Sequence, residues 1–349
     1  MPRELIATAP RTPELRTYEE PPLGTDQVRL RSTFSTVKHG TQLRAYRADT
    51  MDATQPFDAE LKLHRRTGTR TAHGMRPRFP MALGTVTVGE VVAVGGAVES
   101  FAVGDQVYGN LSIRETHTVA AARLRPVPAG MHPHAAVCGD PACVALSGVR
   151  DSSLGVGDRV LVTGLGAIGQ LAVQIARLQG AAWVAGADPI PRRRALAAHL
   201  GADLVIDPLA EDTGLVVKTA TGKLGADAVI ETSGSYSGLN DALRAAAYGA
   251  TVVSVAYYPG EGRGLSLEGE WHRNRINLIS SRDVSAPHRL FPRWDSARLY
   301  DAAFALLERG RLRVDGLLDP VVPFEDSAAA YREIDESPAA CIKLGVTYS

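Results

Sequence analysis

The second half of the chain alternates short apolar runs with stretches that have a helical period. The apolar runs lie near residues 160, 183, 204, 228 and 252, with helical patterns over 169–179, 191–200 and 238–247 between them. Another helical pattern, Pro141–Asp151, precedes the first run. Short apolar runs bounded by turns indicate buried strands, and their alternation with helices at this spacing predicts a parallel, doubly wound sheet.

The first part of the chain has a different pattern. Residues 1–37 alternate apolar and polar positions with a period of two, and over Leu83–Tyr108 valines alternate with small residues, including glycines. This pattern predicts a tightly curved antiparallel barrel whose corners need glycine. Residues 47–78 are polar and basic without a clear period, which predicts a surface lobe or a substrate-side loop.

The strand–helix alternation stops near residue 281. The tail then carries one clear helical pattern, a strand-like run, a second helix and a last strand, at Ala297–Glu308, Leu317–Val322, Ser327–Ile334 and Ile342–Thr347. We expect this tail to return to the first domain. A chain of 349 residues is long enough for two domains.

A glycine-rich turn follows the apolar run near residue 160. Gly164, Gly166 and Gly169 form the pattern G-x-G-x-x-G, and a helical pattern begins at once. Gly164 permits a tight turn, Gly166 lets the backbone approach a pyrophosphate, and Gly169 lets the helix press against the strand. The N-terminus of this helix, with Ala167 and Ile168, presents free N–H groups to the phosphates. The pattern predicts a dinucleotide site.

An acidic residue ends the next apolar run. Asp188 lies 19 residues past the last glycine, close to where a ribose-binding acid belongs. A carboxylate there accepts hydrogen bonds from both ribose hydroxyls and repels a 2′-phosphate, which favours NAD over NADP. Arg192, Arg193 and Arg194 weaken this preference, because arginines beside the ribose accept NADP. We place Arg193 against the adenosine ribose and expect the other two arginines to be solvated.

Composition excludes some partners. The formal net charge is zero, so nothing indicates a nucleic-acid partner or an anionic membrane. The three cysteines form no C-x-x-C pair, which fits a reduced, cytoplasmic setting. The sequence has no signal-peptide pattern and no uncharged apolar run long enough to span a membrane. We expect a cytoplasmic protein whose partner is a small-molecule substrate.

Six segments carry motifs found together in one family: Val88–Gly95, Phe101–Val107, Asp140–Leu146, Val156–Val160, Gly225–Gly234 and Val322–Tyr331. The chain resembles the medium-chain dehydrogenase/reductase superfamily, the alcohol dehydrogenase type, over nearly its whole length except 47–78. The resemblance implies an α/β protein with a GroES-like β-barrel catalytic domain at 1–141 and 282–349. It implies a Rossmann NAD-binding domain with a doubly wound parallel sheet at 142–281. It also implies a homodimer paired through the edge strand of the nucleotide domain, here Thr251–Ala256.

The sequence departs from the zinc-dependent branch of that family at the metal ligands. His39-Gly-Thr-Gln42 replaces Cys-Gly-Thr-Asp, and Gly84-Thr85-Val86 replaces Gly-His-Glu. The third ligand position falls on Asp140 or on Cys138. Catalytic zinc needs three protein ligands, and Thr85 and Val86 cannot supply the missing one. The four-cysteine structural zinc lobe is absent as well, so the sequence predicts that both metal sites are lost.

Without zinc, general acid–base catalysis by a side chain is the alternative. His39 occupies the position of the first metal ligand, and Thr41 matches the hydroxyl that relays the proton in zinc enzymes. We predict His39 as the base and Thr41 as the relay, with Lys38, Tyr46 and Asp140 as substitutes. The structural alternatives are a non-catalytic histidine, a Thr41 that caps a helix and an Asp140 that caps the helix ahead of Pro141.

These features predict an NAD-dependent dehydrogenase that interconverts a secondary alcohol and a ketone without zinc. Several polar side chains on the substrate-side segments favour a polyhydroxylated substrate such as a sugar, cyclitol or aminoglycoside: Lys38, Gln42, Arg44, Asn110 and His288. Two alternatives remain open. One is a quinone or enoyl reductase, a zinc-free branch that prefers NADPH, and the other is a nucleotide-binding protein without turnover. One scaffold hosts many chemistries, so the fold does not choose the substrate.

Overall fold

The computed structural model describes residues 1–49, 55, 57–64, 78–284 and 292–349. Contacts between residues divide the chain into two units. The first comprises Met1–Val137 and Leu318–Ser349, and the second is Cys138–Leu317. Within the described residues, no helix is long and apolar enough to cross a membrane.

The first unit is built on mainly antiparallel sheets, with one parallel pair, β17 and β18. Its strands are β1 (Arg3–Ala9), β2 (Thr12–Thr17), β3 (Gln27–Thr36), β4 (Phe57–Asp58), β5 (Leu63–His64), β6 (Met81–Ala82), β7 (Val86–Val94), β8 (Gln106–Gly109), β9 (Thr116–Ala120), β10 (Leu124–Pro126), β17 (Val321–Pro323) and β18 (Gly345–Thr347). The largest sheet has the order β10-β8-β7-β3-β18-β17, with β9 also paired to β3. The pairing of β3 with β7 is irregular at two places, and irregular pairing of this kind bends a sheet.

Three α-helices complete the described part of this unit: His39–Tyr46, Pro133–Ala136 and Ser327–Glu336. The first and last of them cover one buried apolar cluster, which includes Leu5, Leu83 and Phe324. Most of the excursion at 47–78 lies outside the described residues. Its described part includes the short β4–β5 hairpin.

The second unit is a six-stranded parallel sheet with helices. Its strands are β11 (Arg159–Thr163), β12 (Trp183–Ala187), β13 (Leu204–Ile206), β14 (Ala226–Glu231), β15 (Ala246–Ser254) and β16 (Asn277–Ser280). Its helices are Gly139–Asp151, Ala167–Gln179, Pro191–His199, Thr213–Ala220, Tyr236–Ala245, Glu270–Arg273 and Ser296–Glu308. The strand order β13-β12-β11-β14-β15-β16 is that of a dinucleotide-binding doubly wound sheet, and it confirms the predicted fold class.

Two details of this unit differ from the sequence prediction. Thr251–Ala256 is not the sheet edge, because β16 pairs alongside β15 from Thr251 to Ser254 and forms the edge itself. The unit also extends past residue 281 to Leu317. The helix Ser296–Glu308, which we expected in the first domain, packs on Gly139–Asp151 instead; a Cβ at Gly139 would lie 2.5 Å from the hydroxyl of Tyr300.

Candidate cofactor pocket and catalytic segment

The glycine-rich turn connects β11 to the helix Ala167–Gln179. Gly164 has a φ of +81°, and a Cβ there would lie 2.5 Å from the backbone nitrogen of Ser233. A Cβ at Gly169 would lie 1.9 Å from the carbonyl oxygen of Gly164, so any larger residue would push the helix off the turn. Gly166 precedes the helix, and a Cβ there would meet nothing within 4 Å. Two of the glycines therefore close the turn, and the third leaves open space before a helix N-terminus.

Asp188 lies at the end of β12 beside this turn, with only 3% of its surface exposed. Its Oδ2 accepts a hydrogen bond from the backbone nitrogen of Leu165 at 2.8 Å, and its Oδ1 accepts one from Ile190 at 2.9 Å. A carboxylate has about four acceptor sites, so about two remain for a ligand. Asp188 thus holds two loops in place and still has acceptor capacity for ribose hydroxyls.

The arginines of the following helix divide between two roles. The Nη1 of Arg193 lies 3.7 Å from Oδ2 of Asp188. Arg194, which we expected to be solvated, instead donates to the carbonyl of Asp188 at 2.7 Å and forms an ion pair with Asp207 at 3.0 Å. The expectation for Arg194 was wrong because the loop after β13 brings Asp207 to this helix, and sequence spacing carries no signal of that contact.

A cavity of about 370 Å³ joins these groups within the second unit. Gly164, Gly166, Asp188 and Arg193 line it, so the structure brings together four of the residues predicted to bind the cofactor. Ala167, Ile168 and Gly169 belong to the first turn of the adjoining helix and do not line the cavity. One wall of the cavity was not predicted from the sequence; it includes Thr232, Ser233, Ser235, Ser237 and Asp241.

A buried carboxylate supports that missed wall. Glu231, the last residue of β14, is fully buried and accepts hydrogen bonds from the backbone nitrogen and hydroxyl of Ser233 and from the hydroxyl of Tyr258. Burial raises the pKa of the Glu231 carboxyl, although these donors act in the opposite direction. The hydroxyl of Thr232 donates a hydrogen bond to the carbonyl oxygen of Gly164, which links the end of β14 to the glycine turn. The motif Gly225–Gly234 was the available sequence signal for this wall.

His39 is the first residue of the helix His39–Tyr46 in the first unit and is half-buried. Its Nε2 accepts a hydrogen bond from the backbone nitrogen of Leu344 at 3.1 Å, and the sulfur of Cys341 lies 3.9 Å away. A ring nitrogen that accepts from an N–H carries no proton, so the neutral imidazole holds its proton on Nδ1. In this arrangement His39 takes up a proton only if the bond to Leu344 opens.

The structure gives different support to the roles predicted for the residues near His39. Thr41 is exposed and lies two residues from His39 on the same helix, where side chains do not face each other, so a direct bridge between them has no geometric support. Tyr46 is fully buried, and burial raises its pKa to about 12. The buried hydroxyl of Tyr46 does not favour it as a substitute base. Lys38 is half-buried at the N-cap position, where neither Lys38 nor Thr41 caps the helix with its side chain.

The residues at the ligand positions of zinc enzymes do not fit a zinc ion. His39 uses Nε2 to bind Leu344, and the Thr85 hydroxyl is directed to the carbonyl of Thr36. Asp140 is half-buried at the second position of the helix Gly139–Asp151. The alternative that Asp140 caps this helix is wrong, because Cys138 holds the N-cap position. Across the described residues, no three His, Cys, Asp or Glu side chains are grouped to hold a metal.

Two family descriptions match the chain. Residues 53–138 match the alcohol dehydrogenase GroES-like domain, and residues 167–291 match a domain described as zinc-binding dehydrogenase. The chain is 39% identical over 351 aligned positions to a D-guloside 3-dehydrogenase of Escherichia coli K12, covering 99% of this chain and 100% of the relative. The chain belongs to the medium-chain dehydrogenase superfamily of the alcohol dehydrogenase type. It is accordingly an oxidoreductase that acts on CH–OH groups and uses a nicotinamide cofactor.

Solved structures share the fold at lower identity. Galactitol-1-phosphate dehydrogenase from Escherichia coli superimposes with a TM-score of 0.75 at 20% identity, covering 99% of both chains. A dehydrogenase from Sinorhizobium meliloti 1021, solved bound to NADP, also gives a TM-score of 0.75, at 21% identity over 99% of both chains. At this identity the likeness establishes the fold alone.

Proposed function

We propose that the protein is an NAD-dependent dehydrogenase that oxidises a secondary alcohol of a polyhydroxylated small molecule, or reduces the corresponding ketone, without catalytic zinc. The observation that carries the proposal is the cavity in which the glycine turn and the Asp188 carboxylate meet. Gly166 and the helix N-terminus would hold the pyrophosphate, and Asp188 would hold the adenosine ribose. The bound nicotinamide would supply the hydride acceptor.

The preference for NAD rests on the charge of Asp188. Its carboxylate is held by two backbone N–H groups, so it cannot swing away from a 2′-phosphate without losing both bonds. The guanidinium of Arg193, 3.7 Å from Asp188, offsets part of that negative charge. The carboxylate of Asp188 is fixed in place, and the guanidinium of Arg193 already lies against it. We therefore expect repulsion between Asp188 and a 2′-phosphate to outweigh attraction between Arg193 and that phosphate.

His39 is the proposed base, with a condition set by its contact to Leu344. Leu344 is fully buried, so opening that hydrogen bond leaves its N–H unsatisfied at a cost of about 1–3 kcal/mol. A general base contributes roughly 100- to 10,000-fold in rate, which corresponds to about 3–5 kcal/mol. The cost does not exceed the gain, so a substrate that displaces Leu344 from Nε2 can still use His39. Lys38 and Asp140 remain the substitutes.

The substrate class rests mainly on similarity. The E. coli relative that matches end to end is named for oxidation at position 3 of a D-guloside, a secondary alcohol on a sugar. The polar side chains that we predicted to face the substrate add little support for a polyhydroxylated substrate. The side-chain amide of Gln42 is engaged by Gly84 and Tyr331, and the Nε of Arg44 donates to the carbonyl of Asp49. His288 lies outside the described residues.

The test is a screen of glycosides, free sugars, polyols, cyclitols and aminoglycosides with NAD, read as NADH absorbance. We expect turnover with at least one class, and none with simple primary alcohols. NADPH consumption with quinones or enones and no polyol oxidation would favour the reductase alternative. Tight NAD binding without turnover on any of these classes would favour the non-catalytic alternative. A chelator should leave turnover unchanged; a stoichiometric zinc that is required for activity would contradict the metal-free mechanism.

A further inference from the structure

The cofactor cavity has a polar group that neither the phosphates nor the ribose accounts for. Asp241 lines the cavity from the helix Tyr236–Ala245, about one and a half turns past its N-terminus, and is half-buried. No hydrogen bond from the described part of the chain reaches its carboxylate. A half-buried carboxylate without donors is costly, and burial accordingly raises the pKa of the Asp241 carboxyl. A ligand that supplies a donor would relieve this cost.

The nearest cation on this helix is committed elsewhere. Arg244 donates through Nη1 and Nη2 to both oxygens of Asp212, at 2.9 and 2.8 Å, and its Nε lies 3.6 Å from Glu270. The guanidinium is therefore held against the start of the helix Thr213–Ala220. Asp241 is left as a hydrogen-bond acceptor of the cavity wall.

The order of groups along a dinucleotide limits where its base can lie in this cavity. With the pyrophosphate at Gly166 and the ribose at Asp188, the base lies beyond the ribose. Pro208 and Leu209, which follow β13, line the same cavity as Asp241. Leu209 is an apolar residue 84% exposed at the edge of the cavity, and a flat purine ring would cover it. An apolar face with one acceptor suits a base that presents an amino group.

We propose that Asp241 is a specificity-determining residue for the cofactor base, and that its carboxylate accepts a hydrogen bond from the exocyclic amino group of adenine. This inference rests on the proposed use of a dinucleotide. Hypoxanthine carries a carbonyl oxygen in place of that amino group, so the carboxylate would face a second acceptor. Hydrogen bonds to charged groups contribute about 1.5–3 kcal/mol, and 1.4 kcal/mol is tenfold in affinity. Preference for adenine should therefore be about tenfold or more.

The test compares dissociation constants of NAD and nicotinamide hypoxanthine dinucleotide by calorimetry. We expect the unmodified protein to bind NAD about tenfold more tightly or better. Asp241→Asn should bring the two constants within about threefold, because an amide both accepts from the amino group and donates to the carbonyl. Asp315→Asn, an exposed aspartate of the same unit that lies away from the cavity, should keep the original ratio.

The ratio of two ligands separates recognition from damage to the fold, because a misfolded pocket loses both ligands together. Equal binding of the two dinucleotides by the unmodified protein would overturn the role of Asp241 and leave the proposed function standing. An unchanged ratio in Asp241→Asn would do the same. Binding of neither dinucleotide would overturn the proposed function and this inference with it. Repeating the comparison with AMP and inosine monophosphate should give the same order, because the base is the only difference within that pair.

Discussion

Replacement of His39 by two different residues separates its two possible roles. His39→Ala removes both the ring that could take a proton and the acceptor for the backbone N–H of Leu344. His39→Gln removes the ring but keeps an acceptor, since the glutamine carbonyl oxygen reaches about as far along the side chain as Nε2. If His39 is the base, both variants should lose about two orders of magnitude or more in turnover.

The stability of the same variants gives an independent reading. Loss of the acceptor for the buried N–H of Leu344 in His39→Ala should cost about 1–3 kcal/mol, which lowers Tm by about 2–4 °C in a chain of this size. His39→Gln should keep Tm within about 1 °C. Affinity for NAD should stay nearly unchanged in both variants, because His39 lies outside the nucleotide unit. His199→Gln, an exposed histidine in the second unit, is the matched control and should match the unmodified protein throughout.

The assay is steady-state NADH formation with the polyhydroxylated substrate found in the screen, measured from pH 5 to 9, alongside thermal unfolding. In the unmodified protein, oxidation should rise with pH through one ionisation near neutrality, and both variants should lose that step. Near-full turnover in His39→Gln with loss of stability in His39→Ala would refute the reasoning. His39 would then only anchor Leu344, and Lys38 would be the next residue to replace.

Three further predictions concern the cofactor, acid stability and assembly. NAD should bind about tenfold more tightly than NADP in calorimetry, and Asp188→Asn should narrow the difference; equal affinities in the unmodified protein would contradict the charge argument. Burial lowers the pKa of His117 to about 3 from 6.5, so the unfolded state binds more protons between these values and stability should fall as the pH drops below about 6.5, by up to ~1.4 kcal/mol per unit. Urea unfolding at several pH values should show a shallower fall for His117→Gln, and identical slopes would refute this assignment. Light scattering at micromolar concentration should find a homodimer paired through the edge strand β16, with Leu278→Lys shifted towards monomer, whereas a monomeric unmodified protein would rule out this pairing.

The strands of the nucleotide unit were predictable because each buried strand is a short apolar run between turns. Val160–Val162 of β11, for example, are fully buried between β12 and β14. The edge strand β16 was missed because Asn277–Ser280 is largely exposed and its apolar run is only two residues long. The helix Thr213–Ala220 was also missed; it is eight residues long, and Asp212 caps it by accepting from Leu215. The capping residue Asp212 was the sequence feature that could have predicted this helix.

The candidate site was predictable only where its residues are close in sequence. The glycine pattern and Asp188 follow a fixed spacing along one strand–helix–strand unit, so their meeting could be expected. The contact between His39 and Leu344 spans 305 positions, and no local pattern signals it. The helix Ser296–Glu308 illustrates the same limit, because an amphipathic pattern shows that one face is buried but not which domain buries it.

The place of β18 in the first unit has a consequence for how the chain is made. At its Phe34–Thr36 end, β3 pairs with β7 along one side and with Gly345–Thr347 along the other. On the ribosome, the contiguous second unit has all its strands before β18 has been synthesised. Until then, the backbone groups along that stretch of β3 are unpaired on one side. An unpaired strand edge of this kind can pair with strands from other chains. That stretch of β3 therefore remains an open edge until residues 345–347 have been synthesised.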